Sequence, residues 1–188
     1  DANHELTSMS GTVYDITHRK QVELALLGQY RVLERIATGQ AMRDVLEEIV
    51  ALGQEQVSGA LCSIYLHDES ASCLRFAAGK SLPAEFANLA AVIPVGEGLG
   101  CCGTAAFRGQ AIISADIAAD PLWKDVGPIP LGFGLRSCWS IPILARQLEP
   151  QRSKQSRVLG TFAVYQREQA VPSATVRATI AAATHLAA

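Results

Sequence analysis

The run Gly96-Glu97-Gly98-Leu99-Gly100-Cys101-Cys102-Gly103-Thr104-Ala105-Ala106 constrains the fold of this chain more than any other segment. Gly98-x-Gly100-x-x-Gly103 has the spacing of a dinucleotide-binding fingerprint, which would demand a parallel, doubly wound sheet. Such a site needs a strand before the glycines and a long helix after them, its N-terminus facing a pyrophosphate. Val92-Ile93-Pro94-Val95 can supply the strand, but Pro94 confines it to a sheet edge. Behind the glycines, only Thr104 to Arg108 fits a helix before Gly109 interrupts. No further strand–helix–strand unit follows. The glycines are therefore read as tight, positive-φ turns at the rim of a pocket.

The flanking sequence agrees. His18 to Thr38 has helical periodicity, with Thr17 as cap and Val22, Leu26, Tyr30, Leu33 and Ala37 on one face. A second amphipathic helix covers Met42 to Val57 and turns Val45, Leu46, Ile49, Val50 and Leu52 inward. Leu61 to Leu66 and Cys73 to Ala77 form a hairpin, and a short helix follows Pro83. Ala111 to Ser114, Arg136 to Leu144 and Arg157 to Gln166 are strands. The last two are joined by a long loop, 147–156, expected to be mobile. Ser173 caps a final helix running to Ala188. Strands joined by irregular segments, with helices at both ends, make an α+β sheet rather than a doubly wound one.

Composition narrows the function. The chain has 188 residues, 49% hydrophobic, enough for one domain with a real core. A net charge of −2 argues against a nucleic-acid partner. No apolar run is long enough to cross a membrane, and no secretory leader opens the chain. The first residue is Asp1 rather than Met, as expected for a piece of a longer protein. Five cysteines, with no CxxC pair and no histidine beside them, read as reduced, buried small hydrophobes in a cytoplasmic protein, with no metal site.

Several ordered segments then point to a family. They are Leu61-Cys62-Ser63-Ile64-Tyr65-Leu66, Gly103-Thr104-Ala105-Ala106, Asp116-Ile117 with Asp120-Pro121-Leu122-Trp123, Leu135 to Ile143, and Val158 to Tyr165. Over residues 41–188 the chain resembles a GAF domain of a bacterial signalling protein. Residues 11–23 resemble the C-terminal end of a PAS domain, so 1–17 would be its remnant and 18–40 a connector helix. Residues 1–15 are expected to be disordered or to borrow another surface. The resemblance implies a six-stranded antiparallel sheet, N- and C-terminal helices on one face, and a small-molecule pocket on the other. It also implies a downstream output module of diguanylate cyclase or histidine kinase type.

The expected pocket lies between the sheet and the segment from Gly96 to Phe133, which carries little regular structure in its sequence. Cys102, Thr104, Phe107, Asp116, Trp123 and Trp139 are its candidate residues. Strand alternation lets only one of Cys138 and Trp139 face it, and Trp139 is taken as that residue. Asp116 and Asp120 also read as turn caps, Arg108 and Arg136 as surface ion-pair partners, and Glu47-Glu48 as a solvated helix edge. Gly79-Lys80-Ser81 lacks the first glycine of a phosphate loop, since position 74 is leucine, and reads as a polar loop. The ligand is an unknown small molecule, and the sequence names no cofactor. The apolar face of helix 18–38, with Leu26, Leu33 and Ile36, need not be covered by the sheet and is expected to form a homodimer seam.

Thiol chemistry is the enzymatic alternative. Cys102 resembles one cysteine of the free methionine sulfoxide reductases. Their other key cysteine would fall within Ile129 to Phe133, where this chain has none. A sulfenic acid needs a second sulfur to resolve it, so no catalytic residue is assigned.

Overall fold

The computed structural model describes residues 17–145 and 156–187. The expected strand at 11–17, the disorder of 1–15 and the mobility of loop 147–156 lie wholly or mostly outside them. Six helices and six strands follow in order: α1 (Thr17–Ala37), α2 (Met42–Glu55), β1 (Leu61–Asp68), β2 (Cys73–Ala78), α3 (Ala84–Leu89), β3 (Val92–Pro94), α4 (Gly100–Arg108), β4 (Ile112–Ser114), α5 (Pro128–Gly132), β5 (Ser137–Leu144), β6 (Val158–Gln166) and α6 (Ala174–Leu186). A 3-10 turn at Pro121–Trp123 precedes α5.

The strands form one antiparallel sheet in the order β3-β2-β1-β6-β5-β4. β1 and β6 are central, and residues 62–65 and 160–165 are buried because both faces of the sheet are covered there. β3 lies at one edge, where Pro94 needs no ladder donor.

Helices α1, α2 and α6 cover one face. Val45, Leu46, Ile49, Val50 and Leu52 of α2 are buried against Cys62 and Ile64 of β1, Trp139 and Ile143 of β5, and Phe162 and Val164 of β6. Gly53 allows a close approach here: a Cβ on it would lie 2.4 Å from the Phe162 ring. The Ser173 side chain caps α6 by accepting from Val176 N at 3.2 Å, as its position predicts.

Two readings need correction. Glu47 and Glu48 are not a solvated edge. Glu48, with a side chain 14% exposed, pairs with Arg31 at 3.3 Å and Arg35 at 3.2 Å, tying α2 to α1. Glu47 accepts from the Gly79 and Lys80 amides at 3.1 and 3.2 Å. The half phosphate-loop motif thus holds a carboxylate of the same chain. The segment from Gly96 to Phe133 is also more regular than expected, containing α4, β4, the 3-10 turn and α5. Its helix begins at Gly100 rather than Thr104, because the first turn is buried and packing overrides the poor helix propensity of glycine.

Candidate functional site

The second face of the sheet carries a different core. Tyr65 of β1, Cys138 of β5 and Ala163 and Tyr165 of β6 point toward α4, α3 and the 3-10 turn. The fingerprint glycines serve this packing. Gly100 has φ +67, and a Cβ on it would lie 2.9 Å from the Trp123 ring. At Gly103 a Cβ would come within 2.5 Å of the Pro94 carbonyl. The spacing lets α4 approach Trp123 and β3, so indole and peptide occupy the space next to these glycines.

Between α4 and the outer segments lies a cavity of about 90 Å³. Phe86 and Leu89 of α3 form one wall, Val92 and Ile93 of β3 another. Leu99 and Gly100 close it at the start of α4. Trp123, Val126, Ile129 and Pro130 come from the 3-10 turn and α5, with Cys102 and Tyr165 also contributing to the lining. Phe86 meets Tyr165 and Phe133 edge-on, each with ring centroids 5.5 Å apart, which fixes the aromatic wall. Leu89 and Val92 are strongly exposed, leaving an apolar rim.

Polar groups collect behind this apolar lining. The Cys102 sulfur lies 3.8 Å from Tyr165 Oη, and Cys101 Sγ donates to the Cys138 carbonyl at 3.2 Å. The Cys102 thiol is held down to about 7 by the neighbouring Cys138, Ser140, Tyr165 and Thr161 groups, against burial, which pushes it up. Burial drives the Cys138 thiol and the Tyr165 phenol the other way, well above their ordinary values. Alternation puts Ser63 on the same face as Tyr65, Thr161 with Tyr165, and Ser140 with Cys138. The Ser63, Tyr65, Ser140 and Thr161 hydroxyls are buried, and none meets full hydrogen-bond geometry with another group among the described residues. The Trp123 Nε1 has no acceptor among them either.

Of the six sequence-chosen residues, the cavity brings together Cys102 and Trp123. Trp139 lies in the helix-side core, so Cys138 is the member of that pair on the cavity side. Thr104 is fully buried but does not line the cavity. Phe107, 57% exposed, is outside it. Asp116 accepts from Ala118 N at 3.1 Å and from the Gln169 side chain at 2.6 Å, and pairs with Arg136 at 3.4 Å. Asp120 accepts from Leu122 N at 3.0 Å. Both aspartates therefore hold turns, and Arg108 pairs with Glu97. Sequence reasoning missed Phe86, Ile93, Val126, Ile129 and Tyr165. Their apolar or aromatic character looks the same in a core as in a pocket wall.

Residues 39–188 match the family model of the GAF domain. A methyl sulfide methyltransferase-associated sensor of Methanosarcina acetivorans is 36% identical over 168 residues. The match spans 89% of this chain but 16% of the length of that protein. The GAF domain of an Acinetobacter phosphoenolpyruvate-protein phosphotransferase superposes with a TM-score of 0.65 at 18% identity, covering 87% of this chain and 90% of that one. The free methionine-R-sulfoxide reductase of Neisseria meningitidis, solved with its substrate, gives 0.68 at 18% identity, covering 97% and 93%. At these identities the two structures share the fold.

Proposed function

Since this chain belongs to the GAF domain family, we propose that it senses a small molecule in the cavity beneath α4 and relays occupancy through its terminal helices. The observation that carries this reading is the cavity itself, apolar at its rim and in contact with Cys102 and Tyr165 of the inner core. The relay needs a two-state element that the ligand favours unequally. On β5 and β6, Cys138 and Tyr165 face the cavity side while their neighbours Trp139 and Val164 pack under α2 and α6. A shift of these strands reaches both layers. In the longer protein, a PAS domain would precede α1, and a diguanylate cyclase or histidine kinase module would receive the signal in the cytoplasm.

Thermal-shift screening of metabolites against the unmutated chain and Val126→Trp tests the pocket. Compounds that raise the melting temperature of the unmutated chain alone support it. Hits that shift both chains equally remove the cavity from the function.

A homodimer through α1 completes the reading. Gly28 and Val32 face α2, while Leu26, Leu27, Tyr30, Leu33 and Ile36 stand between 49% and 64% exposed. Leu26, Tyr30 and Leu33 follow the four-three spacing of a coiled-coil seam, and a second copy of this helix offers the matching stripe.

Sulfoxide reduction is not the activity proposed here. No cysteine lies within 129–133, and among the described residues no charged side chain lines the cavity to hold a zwitterionic amino acid. Turnover of free methionine sulfoxide that disappears in Cys102→Ser would reverse this.

A further inference from the structure

We propose that the cavity selects an uncharged small molecule with an apolar, ring-sized body and one hydrogen-bonding tip, seated with the tip toward Tyr165 and Cys102. This rests on the cavity being the sensing site and adds the chemical class of what it senses.

Charge is the first argument. Among the described residues, the lining contains no Lys, Arg, His, Asp or Glu. The nearby surface ions Arg108 with Glu97, and Arg136 with Asp116, already satisfy one another. A phosphate, carboxylate or ammonium entering this space would lose its water and gain no counter-charge, which costs far more than apolar contact returns. The rim agrees, because Leu89, Val92 and Ile129 offer an entering molecule only hydrocarbon.

Polarity at the far end is the second argument. A purely apolar ligand would leave the inner groups as they are. Tyr165 and Cys102 line the cavity with a hydroxyl and a thiol that meet at 3.8 Å. Trp123 brings an indole N–H that lacks an acceptor among the described residues. Buried polar groups of this kind are normally paired, so a ligand tip able to donate and accept gains where a hydrocarbon does not. The walls of Phe86 and Trp123 suit a planar body.

The test uses four probes of one shape: 4-methylphenol, toluene, 4-methylbenzoate and 4-methylbenzylamine. Each is titrated by calorimetry against the whole chain. Independently, each is tested for slowing Cys102 carbamidomethylation by iodoacetamide, read by intact mass with Cys102→Ser as the blank. The phenol is expected to bind at least about tenfold tighter than toluene, with no protection from either ion. In Tyr165→Phe, the phenol should fall to the level of toluene while toluene is unchanged. Toluene that keeps its affinity shows that the variant's cavity has folded.

An ion binding as well as the phenol overturns the neutral class but leaves the cavity as the sensing site. Equal binding of phenol and toluene overturns the hydrogen-bonding tip. If no probe binds or protects Cys102, the cavity fails as a site, and the sensing reading falls with it.

Discussion

Cys62 and Cys102 are both buried thiols packed against one sheet, yet their surroundings push them in opposite directions. Cys62 faces the helix layer among Ile64, Val164 and the side chains of α2, and burial alone drives it up to about 12. Cys102 faces the other side among Cys138, Ser140, Tyr165 and Thr161, and these neighbours hold it near 7 despite equal burial. The helix side is mostly hydrocarbon, with Trp139 Nε1 and, at the end of β6, Gln166 Oε1 as buried polar atoms that lack a partner among the described residues. The cavity side retains hydroxyls, thiols and open volume inside the protein. A close-packed face supplies stability, whereas a face with unsatisfied groups and free space keeps the capacity to bind.

Phe162→Ala should break the helix side most severely. Its ring is fully buried against Gly53, and truncation is expected to cost about 3–5 kcal/mol in urea unfolding. A loss below roughly 1 kcal/mol would mean that this face is not the buttress.

The contrast between the two thiols predicts a pH profile. A thiol held near 7 carries on the order of fifty times more thiolate at neutral pH than one at its ordinary value. Protonation as pH falls through 7 should slow Cys102 alkylation, while raising pH past that point should bring it to a plateau. A rate still climbing toward pH 9 would erase the distinction from Cys62.

Outside the helix layer, Leu33→Asp should weaken a dimer by roughly tenfold or more, because it places a carboxylate in the apolar seam. Sedimentation over a concentration series reads it directly. A monomer at every concentration of the unmutated chain would remove α1 as an interface.

The smallest effect sharpens the comparison furthest. Thr161→Val keeps shape and removes one of the hydroxyls beside the Cys102 sulfur. The midpoint of Cys102 alkylation is expected to move to higher pH, since one of the groups favouring the thiolate is gone. An unmoved midpoint would show that Thr161 does not distinguish the two faces.

Much of this was legible in the residues. The Ser173 cap, the Asp116 and Asp120 turns and the buried face of α2 rest on local chemistry, which sequence carries directly. The edge position of Pro94 follows from its missing donor. The candidate site was less legible, since two of its six chosen residues line the cavity. Phe107 stands on the outer side of α4 and Asp116 is taken up by Arg136 and Gln169, partners far away in sequence.

Sequence alone determined the succession of α1, α2, the β1–β2 hairpin, α3, β4, β5, β6 and α6, the rejection of a dinucleotide fold, and the opposition of Cys138 to Trp139. Periodicity and glycine or proline geometry act within a few residues, so they survive reading in one dimension. Tertiary structure alone decided which of that pair faces the cavity, what Gly100 packs against, and that Glu47 occupies the Gly79–Lys80 amides. Alternation separates the two faces of a strand but does not say which layer covers each. That is settled when α2 covers one side of the sheet at β1 and β2, α6 covers the same side at β5, and α4 takes the other side at β5 and β6.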